Sequence, residues 1–322
     1  MNDQQNRFNW FLFLAMGVMW GSSYLFIKIG VETITPFTLI ALRLAIGAAL
    51  LGAVVLYLRA RLPRDARMYG HLLVMSIINI VIPFALITWA ELTVPSSLAA
   101  VLTGTVPLFV IVIAAFFLRD EPITANRLIG LLVGFAGVVV LTNPSGFGAD
   151  GTAIAQLAIL GAALSYAIGG VYARRFVSGL PPIIPAFMQV VLAFAISGTL
   201  ALLFEQPFGL AYSAAAIGSL LWLGVLGSGV VYLIYFRLLR TWGATRTSLV
   251  AYVMPVVGII LGVAVAGETI DARIISGTVL VIAGVALVNS RYGRRPLFAR
   301  GRRLEAVAGA AAGAGAEGEV AA

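Results

Sequence analysis

Two cations stand out because the apolar parts of the chain hold so few. Lys28 is the only lysine in 322 residues, and Arg43 sits deep inside the uncharged run TLIALRLAIGAALLG. A positive charge in such a setting either meets an anionic ligand group, such as a substrate carboxylate, or pairs with a buried acid, here Glu91 or Glu268, as an outer gate. The purely structural alternatives are a snorkelling Lys28 and a fixed ion pair for Arg43. Trp20, Tyr24 and Lys28 follow at steps of four, and Ser228, Tyr232 and Tyr235 at 0, 4 and 7, so each set shares one helix face. Aromatic surface with a few hydroxyls suits the wall of a small-molecule cavity. The same spacing also serves ordinary helix packing.

A second group of polar residues lies beside prolines: Asn79 before Pro83, Thr103 and Thr105 before Pro107, and Thr247, Ser248 and Tyr252 before Pro255. Proline frees a carbonyl one turn back, which either bends the helix against a neighbouring hydroxyl or coordinates a ligand. Pro83, Pro107 and Pro255 are thus the candidate hinges, and Asn79 and Tyr252 the candidate lining beside them. The pairs Gly17/Gly21, Gly130/Gly134 and Gly258/Gly262 have the spacing of close helix contacts, within a bundle or between protomers.

Other chemistries lack their residues. The one lysine stands in Ile27-Lys28-Ile29, so no Gly-Lys-Ser/Thr phosphate loop exists. The single His71 falls at a helix end, there is no G-x-S-x-G elbow, and no acid occupies the middle of an apolar run. No catalytic, metal or cofactor site is expected. With 0 cysteines there is neither a disulfide framework nor a thiolate site. The missing midspan carboxylate points toward facilitated or weakly coupled movement of a ligand, with Glu91, Glu121 and Glu268 left to titrate near helix ends.

The elements that must position these residues are membrane helices. The chain is 61% hydrophobic and 11% charged, with mean hydropathy +1.03, against about 25% charged residues in a soluble domain. Apolar runs of spanning length, about 20 residues each, fall near 10–30, 36–58, 69–90, 96–117, 126–142, 152–173, 184–204, 213–236, 245–266 and 273–289. The first run is too long for a cleaved signal and reads as a retained helix. With the N-terminus placed in the cytoplasm, only Lys28, Arg43 and Arg273 of the 21 basic residues fall outside the inner segments. Both termini are therefore expected inside, and the net charge of +8 requires no nucleic acid.

The chain also repeats itself. GLLVGFAGVVVL at 130–141 and GTVLVIAGVALV at 277–288 match 147 residues apart, with Glu121 and Glu268 on the same offset and Pro107 and Pro255 one residue off it. The unit is five helices, an odd number, so the halves have opposite topology. The expected organisation is a first repeat over 1–147, a second over 148–290, and an Arg-rich, Ala/Gly-rich disordered cytoplasmic tail over 291–322. The fold class is an all-α membrane protein of ten transmembrane helices in two inverted five-helix repeats.

WGSSYLFIKIG at 20–30, Arg43 after Pro36, LGVLGSGVVYLIYFRLLRTWGATRTSLVAYVMPV at 223–256 and AGETIDARIISGTVLVIAGVAL at 266–287 together resemble the drug/metabolite transporter superfamily, and within it the EamA-type ten-helix bacterial exporters. The resemblance spans 10–290. It implies a multi-pass protein of the bacterial inner membrane that exports amino acids, aromatic or apolar ones included, and related metabolites without ATP. Alternating access about a central cavity is implied with it. Two departures are visible: Tyr166-Ala167 replaces the usual Trp-Ala of helix 6, which makes Tyr166 a further candidate for the cavity, and the first-half glutamate lies in LRDEP at 118–122. A drug-cation or nucleotide-sugar carrier is the alternative cargo class, and a non-transporting scaffold or sensor the alternative of another kind. The expected partners are a small-molecule substrate and the lipid bilayer, with monomer and homodimer both open.

Overall fold

The computed structural model describes residues 3–117, 125–142, 152–177, 179–208, 211–242, 247 and 250–289. Glu121, Ser248, the repeat boundary after residue 147 and the 291–322 tail lie outside them. Ten helical elements follow in order: α1 (Asp3–Gly30), α2 (Pro36–Tyr57), α3 (Ala66–Ala90), α4 (Ser96–Thr103 and Val106–Phe117) and α5 (Ala125–Thr142). The second half has α6 (Thr152–Phe176), α7 (Ile183–Phe204), α8 (Ala214–Leu221, Trp222–Val230 and Val231–Trp242), α9 (Val250–Ala264) and α10 (Ala272–Asn289). Eight are long and apolar enough to cross a membrane, and α9 and α10 are shorter apolar helices. The chain is a ten-helix, multi-pass membrane protein.

The helix ends follow local chemistry. Thr35 in extended conformation precedes Pro36 at the first turn of α2, where the missing N–H costs nothing. The Asp65 carboxylate accepts from the Arg67 N–H at the start of α3, and the Ser213 hydroxyl accepts from the Ala216 N–H at the start of α8. Large side chains such as Leu132, Val139, Ile275 and Val279 are exposed, as expected of surface that faces lipid.

Packing recurs in pairs related by the five-helix shift. α3 lies on α6 as α8 lies on α1; α4 lies on α6 as α9 lies on α1; and α2 with α7, α4 with α9 and α5 with α10 pair with their own repeat mates. The last pair shows the two-fold relation at atomic scale. A Cβ built on Gly130 would stand 2.6 Å from the Gly284 carbonyl oxygen, and one on Gly137 would stand 2.8 Å from that of Gly277. Since Gly130 matches Gly277 and Gly137 matches Gly284 in sequence, the two contacts are one contact seen twice. Gly17 and Gly21 likewise admit Val253 and Val257 of α9. These small-residue faces therefore pack inside the bundle.

Irregular turns are also distributed symmetrically. α3 widens to a π turn at Ile77–Val81 and α8 at Trp222–Val230. In the π register the Ile82 N–H bonds the Ile77 carbonyl, so the Ile78 carbonyl would need an N–H from Pro83, which has none. The Ser165 hydroxyl of α6 donates to it instead, at 2.5 Å. α8 makes its π turn without proline, through Gly224, Gly227 and Gly229. α4 breaks at Gly104 and Thr105, and Pro255 of α9 fills the space beside Gly104, where a Cβ would lie 2.8 Å from the Pro255 ring.

Close approach at α5 and α10 gives a stability test. Gly137→Ala places a methyl against backbone that cannot yield, and overpacking of this kind costs about 1–3 kcal/mol. Its melting temperature in detergent falls by several degrees, while Gly218→Ala, with open space at its Cβ, leaves the melting temperature unchanged. Equal melting for the two variants would refute the glycine contact.

Candidate functional site

Arg43 occupies the centre of the bundle. It is 3% exposed, its Nε donates to the Ser228 hydroxyl at 3.1 Å, and its guanidinium carbon lies 4.4 Å from the Phe84 ring centroid. The hydroxyl comes from the π turn of α8 and the ring from the helix just past the π turn of α3, so Arg43 sits where both repeats depart from regular helix. Gly227 keeps the place open: a Cβ there would be 3.3 Å from Arg43 Nη2 and 3.1 Å from the Ser23 hydroxyl oxygen. Tyr24, Tyr166 and Tyr232 are near enough to act electrostatically on the guanidinium.

The aromatic stripes of α1 and α8 meet. Trp20 stands 6.2 Å from the Tyr232 ring, nearly perpendicular, and 5.6 Å from Tyr235, distances at which aromatic pairs attract beyond their buried area. One floor above Trp20, Tyr24 is buried against α4. Asn79 is placed differently: its Nδ2 donates to Gln189 Oε1 at 3.1 Å and its side chain packs on Gly169. Tyr252 is half-buried in the cluster that contains Tyr24 and Tyr166. The structure thus brings Tyr24, Tyr166, Ser228 and Tyr232 near Arg43, packs Trp20 on Tyr232 and Tyr235, and turns Asn79 toward α6 and α7.

Toward the outer end, the expected ion pairs do not form. Lys28 Nζ donates to the backbone carbonyls of Glu91 at 2.6 Å and Val94 at 3.3 Å, satisfying acceptors at the C-terminal end of α3, where the helix dipole favours a cation. Glu268 is occupied by the first turn of α4. Its Oε1 accepts from the Ser96 N–H at 2.7 Å and the Ser96 hydroxyl at 2.8 Å, and its Oε2 from the Ser97 N–H at 3.0 Å. Gly267, at φ +65°, turns the chain so that the Glu268 N–H returns to the Gly262 carbonyl. A glutamate outside the sequence-based candidates does the same for α2. Glu205, just past α7, accepts from Phe37 N–H at 2.8 Å, Thr38 N–H at 2.7 Å, and the hydroxyls of Thr35 and Thr38 at 2.6 and 2.8 Å. The signal that would have found it is the lack of any acid in the first turn of α2. Two carboxylates of the second half thus hold two helix N-termini of the first.

At the expected cytoplasmic end α1 and α8 are joined by aromatic contact: Trp10 lies 4.8 Å from Trp242 and the Asn9 amide donates to Thr241. An apolar depression lined by Trp89, Leu92, Thr93 and Ile154 lies at the outer ends of α3 and α6, away from Arg43.

A pseudo-symmetric ten-helix bundle with a buried cation beside aromatic residues and separate helix-to-helix ties at its two ends fits the class of membrane transporters. The family model described as the EamA-like transporter family matches residues 8–143 and again 153–290, and the chain belongs to that family. It is 25% identical to an uncharacterized transporter, YoaV, of Bacillus subtilis, over 88% of this chain and 97% of that protein. It is 28% identical to the uncharacterized inner membrane transporter YedA of Escherichia coli K12, over 86% and 90% of the two chains. A protein of Salmonella typhimurium described as a probable amino-acid metabolite efflux pump is 27% identical over 87% and 94%. A crystal structure superposes with TM-score 0.64 at 22% identity, covering 86% of this chain and 94% of that one, and has the same fold.

Partial burial raises the carboxyl pKa of Glu268, but hydrogen bonds from Ser97 and Ser96 outweigh it and hold the group below the usual carboxylate range. A depressed carboxyl contributes stability that is complete above its unfolded pKa and is lost as pH falls through the folded one. The melting-temperature gap between wild type and Glu268→Gln is therefore widest near neutral pH and narrows below about pH 4. A gap that widens on acidification would refute the cap.

Proposed function

We propose that the chain is a secondary transporter that exports amino acids and related small metabolites across the inner membrane by alternating access. Arg43 carries this reading: a cation buried between the two halves, fixed by Ser228 and Phe84 with aromatic rings around it, suits a substrate carboxylate beside an apolar or aromatic side chain. Trp20, Tyr232 and Tyr235 form the wall for that side chain. The description of the Salmonella relative as an amino-acid metabolite efflux pump supports the cargo class, and that of YedA as an inner membrane transporter supports the location. A buried guanidinium repels a cationic drug, which favours the anionic group over that alternative.

Membrane proteins of this kind carry substrate at the interface of inverted repeats, near the midplane. The two π turns, inside α3 and α8, support a site at their level here. Five-helix halves that exchange contacts at one end while releasing them at the other would expose Arg43 to each side in turn.

The test is saturable flux of a panel of labelled amino acids into proteoliposomes, with decarboxylated amines as competitors. A charge-assisted hydrogen bond is worth about 1.5–3 kcal/mol, so Arg43→Gln raises the apparent KM for amino acids by about tenfold or more. The corresponding amines compete weakly with wild type and equally with the variant. Trp20→Ala raises KM selectively for aromatic substrates. Absence of saturable flux for every amino acid would overturn the cargo assignment, and an unchanged KM in Arg43→Gln would remove Arg43 from the site.

A further inference from the structure

Glu91 ends α3 and is fully buried, at 0% exposure, yet neither of its carboxyl oxygens has a hydrogen-bond partner among the described residues. The cation nearest in sequence logic, Lys28, spends its ammonium on the backbone carbonyls of Glu91 and Val94. The groups whose charges reach the carboxyl are Lys28 on α1, Arg43 on α2 and Glu268 on the loop after α9, and the neutral Tyr24 of α1 also faces it. Arg43 is turned to Ser228 and Glu268 to the α4 N-terminus. α4 contributes no titratable side chain, and neither α7 nor the outer half of α6 does. Thr88, one turn earlier on the same face, is likewise buried with its hydroxyl unpartnered.

An ionised carboxylate in such a place has lost water and gained no hydrogen bond in return, and the charges of Lys28 and Arg43, both engaged elsewhere, do not make up the loss, so it costs more than burying the neutral acid. The backbone around it is at the negative end of the α3 dipole, which disfavours a second negative charge. Glu91 is buried at the end where Lys28 of α1 is docked on the end of α3 and Glu268 on the start of α4.

We infer that Glu91 is a proton-binding site on the outer side, and that the outer end of the transporter closes over it only when the carboxyl holds a proton. When α3 parts from α1 and the outer end opens, the carboxyl meets water and gives up its proton. Before the end can close again, it takes one from the outer medium. The proton returns to the side that supplied it, so the carrier resets through the protonated carboxyl with no net proton movement across the membrane. This deepens the transport reading above and rests on it. It takes up one of the acids that the sequence leaves to titrate near helix ends, Glu91, and stays within the expectation of facilitated or weakly coupled movement.

The experiment uses the full chain in oriented proteoliposomes preloaded with a labelled amino acid, at fixed inner pH, with outer pH varied from about 5 to about 9. Wild-type efflux falls several-fold as the outer medium becomes alkaline, because ionised Glu91 cannot be buried. Glu91→Gln, a permanent mimic of the protonated group, gives a profile flat across that range. A flat wild-type profile, a variant that follows the wild-type curve, or dependence on outer sodium in place of protons would overturn the site. Infrared difference spectra of the reconstituted protein read the proton without transport. Wild type shows a protonated-carboxyl C=O band that Glu91→Gln removes and Glu268→Gln keeps, whereas a band untouched by Glu91→Gln overturns the proposal. If no amino acid moves, the cargo assignment fails and the infrared band alone decides Glu91.

Discussion

Lipid offers no hydrogen bonds, so each helix end and each break near the hydrocarbon must find its partners inside the protein. This chain meets the requirement by lending side chains from one helix to the backbone of another. Glu205 serves the first turn of α2, Glu268 that of α4, Lys28 the last carbonyls of α3, and Ser165 the carbonyl left open beside Pro83. Three of the four join the first half to the second, and Lys28 joins two helices of the first half. The halves are thus tied by hydrogen bonds at ends and breaks, and by glycine contact at α5 and α10, while the centre is left to aromatic rings and one guanidinium.

That division of labour explains why the charged residues near the outer end are not gates in the simple sense of ion pairs. A carboxylate that accepts three or four hydrogen bonds from a helix N-terminus is already neutralised by dipoles and hydroxyls, and Lys28 at a helix C-terminus is likewise satisfied. Glu91 is left over because its own backbone, not its carboxyl, receives the lysine. Among the described residues its side chain is the fully buried acid at this end, and the backbone arrangement does not use it.

Spans and the pairing of the halves were legible in the sequence because each rests on composition or spacing: hydropathy for the helices, and the 147-residue offset for the pairing of α5 with α10. The meeting of Trp20 with Tyr232 and Tyr235 was legible as two stripes, though not as one cluster. Partners made of backbone were not legible. A carbonyl or an N–H is present at every residue, so nothing in the letters marks the Glu91 carbonyl as the target of Lys28 or the turn at Ser96 as the target of Glu268. The π turn of α8 was hidden for a related reason. Proline announces the irregularity of α3, whereas glycines at 224, 227 and 229 make the same deviation in α8 without a recognisable breaker.

The irregular helices are α3, α4 and α8, and α9 carries an internal proline; these are repeat mates, three with eight and four with nine. α2, α5, α7 and α10 are unbroken and pair with their own mates, α2 with α7 and α5 with α10. An inverted repeat reaches its opposite-facing state when each half takes the conformation of the other. Such an exchange requires helices that can bend to sit in pairs across the axis and stiff helices to sit on it, so that deformation in one half is matched by relaxation in its mate. Arg43, on stiff α2, reaches across to Ser228 in the π turn of α8 and lies over Phe84 beside that of α3. A ligand that binds the guanidinium therefore touches both deformable elements at once, which is the mechanical condition for its occupancy to bias the exchange.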